Sequence, residues 1–199
     1  MGTGRFQAVV IGASAGGTIA LQKILPILLA DFPLPVIIAQ HVHPHQAGAA
    51  QTYKGASLLK IKDVDEKEAI RPGFVYFAPP NYHLLVENDH TFSLSIDPKV
   101  HFTRPSVDVL FESAADAYCQ GLIGIILSGA NQDGAAGLLR IKQRGGLAIV
   151  QEPGEAEVSF MPRFAIETAH PQYILPADEI GSLLIKLALQ TRYEVANAG

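Results

Sequence analysis

Gln7-Ala8-Val9-Val10-Ile11-Gly12-Ala13-Ser14-Ala15-Gly16-Gly17 decides the fold. A short apolar run rich in β-branched residues meets a turn of small residues. The apolar periodicity that follows predicts a helix over 18–30. A strand that is apolar on both faces belongs inside a parallel sheet covered by helices. Pro35-Val36-Ile37-Ile38-Ala39-Gln40 is a second strand of this kind. Strand, glycine turn, helix and strand together make a βαβ unit.

Outward from that unit the pattern changes and then returns. Residues 74–78, 83–86 and 91–96 read as short strands, separated by Pro79-Pro80-Asn81 and Glu87-Asn88-Asp89. These spacings predict antiparallel hairpins at one edge of the sheet. Residues 107–118 read as a helix, 122–127 as a strand and 128–134 as a polar loop. A helix over 135–144, closed by Gly145-Gly146, leads to a strand at 147–151. A short helix over 162–169 opens on Pro162, as a first turn tolerates. A strand at 173–175 and an amphipathic helix over 177–190 complete the chain. The fold class is α/β: a doubly wound, mostly parallel sheet with helices on both faces and an antiparallel hairpin at one edge. One domain is expected over residues 1–199, with its core at about 6–190. Such sheets bind ligands beyond the carboxyl ends of their strands.

Composition narrows the class. A chain of 199 residues can bury one full core. Hydrophobic residues at 48% and charged residues at 17% exclude a disordered or fibrous chain. The net charge of -4, with no run of Lys and Arg, argues against nucleic acid as partner. Cys119 is the only cysteine, so the fold does not rest on an intrachain disulfide or an oxidising compartment. The first residues lack a signal-peptide pattern, and no apolar run approaches about 18 residues. No membrane insertion is expected, and cytoplasm is the default compartment.

Three loops carry candidate chemistry. Gly12-Ala13-Ser14-Ala15-Gly16 matches G-x-S-x-G between strand and helix, where small neighbours let the serine oxygen stand clear. The bland reading is a packing turn with Ser14 as helix cap. Dinucleotide binding is disfavoured, because Ser14 sits where the second glycine of G-x-G-x-x-G belongs. The second strand also ends in Gln40-His41 rather than an acid. Parallel neighbours bring strand ends together, so His41 is placed to take the serine proton. His41-Val42-His43-Pro44-His45 also invites a metal reading, but Pro44 bends the segment and no further cluster completes a tetrahedral set. Asp133, at the end of another buried strand, suits two roles: cap of the helix that follows, or acceptor of the second imidazole N–H. The order Ser14-Asp133-His170 would suit an ordinary α/β-hydrolase, yet there several strands precede the nucleophile. His83, His90 and His101 are expected at the surface of the hairpin region.

Four stretches in register resemble one family. Gly12-Ala13-Ser14-Ala15-Gly16-Gly17 resembles its G-A-S-[TA]-G-G loop, and Gln40-His41 its Q-H segment. Arg104-Pro105-Ser106-Val107-Asp108-Val109-Leu110-Phe111 resembles R-P-S-V-D-x-L-F. Leu127-Ser128-Gly129 with Asp133-Gly134-Ala135-Ala136-Gly137 resembles L-[ST]-G-x-x-x-D-G-A-x-G. The chain is thereby similar to the catalytic domain of chemotaxis protein-glutamate methylesterase (CheB). The resemblance implies hydrolysis of glutamate γ-methyl esters on the cytoplasmic helices of chemoreceptors, and deamidation of certain glutamines. It implies Ser14 as nucleophile, His41 as general base, Asp133 as orienting acid, and no cofactor or metal. Backbone N–H groups at Ala15 or Ala130 are the oxyanion candidates. Arg104 is a candidate to orient acidic substrate or to brace the rim.

Two departures stand out. Ala15 replaces the threonine common after the nucleophile, and Ala130-Asn131 replaces a Met-Gly pair. The rival from another class is therefore a degenerate domain that binds receptor helices or a signalling partner. Family members often carry an N-terminal receiver domain, and only five residues precede the first strand here. The expectation is a stand-alone domain, with a separate receiver protein as a second candidate partner.

Overall fold

The computed structural model describes residues 6–41 and 48–197, without the side chains of 191–197. Seven parallel strands form the central sheet. In chain order these are β1 (Ala8–Ala13), β2 (Val36–Gln40), β3 (Lys60–Asp63), β4 (Phe74–Phe77), β7 (Leu122–Ile126), β8 (Leu147–Gln151) and β9 (Tyr173–Leu175). The spatial order is β3-β4-β2-β1-β7-β8-β9. The hairpin expected beside the sheet is β5 (His83–Val86) with β6 (Phe92–Ser95), a two-stranded antiparallel sheet of its own.

Alternation along the strands builds one core on each face. Val9, Ile11 and Ala13 of β1 pack with α1 (Gly17–Ile24) and α6 (Ala177–Asn197), through Leu21, Ile24, Ile180 and Leu184. Ala8 and Val10 face the other way. They join Leu110 and Phe111 of α3 (Val107–Tyr118), Leu138 of α4 (Ala135–Gln143) and Ala165 of α5 (Phe160–Ala169). Residues fully buried on both faces explain the continuous apolar runs of β1, β2 and β7. Gly12 lets α3 approach closely: a Cβ there would lie 2.3 Å from Val107 Cγ1.

Several elements differ from the sequence reading. Phe74–Phe77 pairs in parallel with β2 and β3 rather than joining the hairpins. The first helix ends at Ile24, and Pro26 sits in the tighter helical turn Leu25–Ile27 that follows. A proline there removes the N–H that would continue the α-helical ladder. A short helix, α2 (Ala49–Thr52), precedes β3. No helix among the described residues is long and apolar enough to cross a membrane.

Candidate active site

The strand order reverses at β1, with β2 on one side and β7 on the other. Crevices at such switch points are where open α/β sheets take ligands. Register alone brings the candidate loops together. Ala13 lies opposite Gln40, and His41 N–H donates to Ala13 O at 3.0 Å. Ser14 N–H donates to Ser128 O at 2.9 Å in the loop after β7.

The Ser14 turn is fastened from below. Ser128 Oγ donates to Ala15 O at 2.7 Å and accepts Val158 N–H at 2.9 Å, while Ser128 N–H donates to Gln151 Oε1 at 2.8 Å. Gly16 turns the chain with φ of 75°, a left-handed conformation that a side chain would strain. A Cβ at Gly16 would also strike Ser128 Oγ at 2.5 Å. Ser14 caps nothing: the N-cap position of α1 is Gly16, with no side-chain capping bond. The half-buried Ser14 Oγ has no hydrogen-bond partner among the described residues, His41 included. Hydrogen bonds of this kind are commonly long in unliganded sites and tighten with substrate.

His41 and Asp133 do meet. His41 Nε2 lies 2.8 Å from Asp133 Oδ2, and Asp133 is fully buried. Four more donors converge on the same carboxylate. Val107 N–H reaches Oδ2 at 2.7 Å, and Thr103 Oγ1 reaches it at 3.1 Å. Ser106 Oγ–H reaches Oδ1 at 2.8 Å, and Asp108 N–H at 3.0 Å. Asp133 therefore does cap a helix, but α3 rather than the α4 that follows it. The N-cap of α4 is Gly134, without a side-chain capping bond. The positive end of α3 suits a carboxylate.

Burial alone would push the Asp133 carboxyl up. The hydrogen bond from His41 and the N–H groups of Asp108 and Val107 outweigh it and hold the acid at about 2. An ionised Asp133 only accepts, so His41 Nε2 carries the proton and Nδ1 is left as the basic nitrogen. Asn131 stands beside that nitrogen. Its Oδ1 accepts Asp133 N–H at 3.2 Å, which turns its Nδ2 toward His41 Nδ1, 3.5 Å away.

The remaining candidates fall as follows. Ala15 and Ala130 are exposed, and neither backbone N–H has a partner among the described residues. Arg104 braces the rim: its Nη1 donates to Ile96 O at 2.6 Å and Asp97 O at 2.9 Å. Its Nε is buried without a partner among the described residues. His43 and His45 lie outside the described residues. His101, Asp108 and Asp133 bring one potential metal-ligand atom each within 4.8 Å of the others. Asp133 already accepts five hydrogen bonds, which leaves it no lone pair for an ion.

Sequence reasoning missed the support of Asp133. Ser106 and the first turn of α3 were legible only as a signature, not as a cradle for the acid, and Thr103 lay outside that stretch. His83 is buried rather than at the surface. Its Nδ1 accepts Ser106 N–H at 3.2 Å and its Nε2–H donates to Pro98 O at 3.1 Å, fixing the residue that caps α3. Asp108 is also new. Burial pushes its carboxyl up to about 6, against the N–H of Gly137. The Asp133 and Glu112 charges add to the rise, and His101 offsets it.

Comparisons with known proteins bear on the family and the fold. A sequence model described as CheB methylesterase matches residues 9–184. A Leptospira interrogans protein, provisionally designated protein-glutamate methylesterase/protein-glutamine glutaminase, is 50% identical over 183 residues. That alignment covers 92% of this chain and 95% of the relative. The Thermotoga maritima protein-glutamate methylesterase/protein-glutamine glutaminase is 36% identical, over 91% of this chain and 54% of its own length. The crystal structure of the Thermotoga maritima CheB methylesterase catalytic domain superposes with a TM-score of 0.87 at 35% identity. It covers 92% of this chain and 98% of that one.

Proposed function

Since this chain belongs to the CheB methylesterase family, we propose that it hydrolyses γ-methyl esters of glutamate on a protein substrate through Ser14, His41 and Asp133. The observation that carries the reading is the 2.8 Å bond from His41 Nε2 to the buried, ionised Asp133, which leaves Nδ1 basic at the rim shared with Ser14.

In the first half-reaction Ser14 Oγ attacks the ester carbonyl and its proton passes to His41 Nδ1. Asp133 stabilises the imidazolium and fixes the ring. The tetrahedral oxyanion takes the N–H groups of Ala15 and Ala130, two donors without a partner among the described residues. The intermediate collapses as the carbon–methoxy bond breaks, and methanol leaves with the proton from Nδ1. Water then attacks the acyl-enzyme, giving its proton to Nδ1. Ser14 leaves with that proton restored, and glutamate is released. A glutamine side chain would follow the same course with ammonia as leaving group. No step requires a cofactor or a metal.

The substrate class follows the family: the methylated cytoplasmic helices of chemoreceptors, with cytoplasm as the site of action. Arg104 enters as a positioning residue, since its guanidinium ties the 96–97 backbone to the segment leading into α3. The test is methanol release from a methylated chemoreceptor fragment by the purified protein. Release that Ser14→Ala abolishes supports the reading. Binding of the fragment without release, and no labelling of Ser14 by a serine-directed phosphonate, would favour the binding-module rival instead.

A further inference from the structure

Beside the catalytic groups stands a turn whose sequence is wrong for its shape. Val100 and Thr103 bond each other reciprocally, with N···O distances of 3.2 and 2.9 Å. The two residues between them, His101 and Phe102, have φ of 48° and 65°. Two positive φ values in a two-residue loop ask for Asn-Gly. A bulky aromatic residue in the left-handed region is an outlier that persists only where something else selects it.

His101 has local compensation. Gln132 Nε2–H donates to its Nδ1 at 3.1 Å, and its Nε2 lies 3.4 Å from Asp108 Oδ2. Phe102 has none among the described residues, for it is 94% exposed. A strained backbone thus holds an aromatic ring out in water. The ring buries almost nothing against the described residues, so its use lies outside them. The turn's position says where. Thr103, next to Phe102, touches the Asp133 carboxylate at 3.1 Å, and Asp133 holds His41. Two residues on, Arg104 grips the carbonyl of Ile96, itself 72% exposed. The braced backbone around the Thr103 contact to Asp133 therefore carries two exposed apolar residues, Ile96 and Phe102.

We propose that Phe102 is the residue by which this protein recognises the surface of its protein substrate, docking on apolar side chains of the helix that carries the esterified glutamate. The proposal rests on the methylesterase reading above. The occupant follows from continuity with the site: a polypeptide that delivers an ester to Ser14 lies across the rim to which Thr103 is tied. A helix that presents its ester-bearing residue there also presents positions three and four residues away on the same face. Apolar groups at those positions are what an exposed aromatic ring can bury.

Phe102→Gly separates docking from structure, because glycine adopts φ near 65° without strain. The variant should melt at the same temperature or higher. On a methylated chemoreceptor cytoplasmic fragment its KM should rise about tenfold or more with kcat little changed, as for loss of a binding anchor. Labelling of Ser14 by a small serine-directed phosphonate should proceed at the wild-type rate, and Phe102→Tyr should restore KM. Unchanged KM in Phe102→Gly would overturn the inference. So would an equal loss in phosphonate labelling, which would place Phe102 in the shaping of the site, or a lowered melting temperature with normal KM, which would make it structural. If the wild-type protein labels at Ser14 but releases no methanol from the fragment, the receptor-esterase reading itself fails and this inference falls with it.

Discussion

Replacing Asp133 by asparagine keeps the side chain's shape and removes its charge, and the consequences can be worked from its five partners. The amide must place an NH2 group where one carboxylate oxygen was. At the Oδ2 position it would face Val107 N–H and the proton on His41 Nε2. The ring would then have to move its proton to Nδ1, the nitrogen needed as base. At the Oδ1 position the NH2 would face Asp108 N–H, leaving a buried backbone donor unpaired. Either way one N–H is orphaned, at a cost of about 1–3 kcal/mol, and charge-assisted bonds become ordinary ones. Relief of the repulsion with Asp108 offsets part of this. The net loss in unfolding free energy should be about 2–4 kcal/mol at pH 7, read from urea titration. Asp133 is held below its unfolded value of 3.8, so its stabilisation is present above that pH and fades as pH falls toward about 2. The deficit of the variant should shrink over the same window. Turnover should fall by about 10⁴-fold, by tautomer and by loss of imidazolium stabilisation. A folded Asp133→Asn protein within tenfold of wild-type methanol release would refute the role assigned to the acid.

Ser14→Ala should lower turnover by about 10⁶-fold and His41→Ala nearly as much, because the two act as one unit. His170, exposed at the end of α5, should tolerate alanine within a few-fold in the same methanol assay. Gly12→Ala would drive a methyl group against Val107, the first residue of α3, and so disturb the cradle of Asp133. It should cost about 1–3 kcal/mol in urea unfolding and reduce turnover as well, and wild-type values for both would count against the cradle. Asp108, raised to about 6 by burial, binds its proton more tightly folded than unfolded. Its stabilisation is full below about pH 4 and is lost as pH rises through about 6. Asp108→Asn keeps an acceptor for Gly137 N–H, so it should gain stability relative to wild type between pH 4 and pH 7. No such gain in paired urea titrations would argue against a buried charge at this position.

The parts of the fold that were legible are those whose signal is local. β1, β2, β7 and β8 are continuous apolar runs because both faces are covered, and α3 was readable over its whole length, 107–118. Lys60–Asp63 was invisible as a strand, since Lys-Ile-Lys-Asp at the end of the sheet is only partly buried and carries no apolar run. Phe74–Phe77 was misgrouped by its short spacing to His83, although a mostly buried Phe-Val-Tyr-Phe points to an interior strand. His83 gave no local sign of burial, because its partners at Pro98 and Ser106 lie 15 and 23 residues away.

The same distinction runs through the site. Ser14, His41 and Asp133 could be singled out because each closes a buried strand or its turn, a pattern visible along the chain. What makes Asp133 an acid that stays ionised in a fully buried position is not visible there. Besides the bond from His41, its ionisation depends on the N–H groups of Asp108 and Val107, 25 and 26 residues earlier, brought in by the packing of α3 over Gly12. A desolvated carboxylate without those donors would take up a proton rather than hold His41 in one tautomer. The proposed base is thus set in part by the start of a helix that contributes no group to the proposed reaction. Substitution of Ser106, which bonds Asp133 and is itself held by His83, should therefore act on the chemistry through the acid rather than through the substrate.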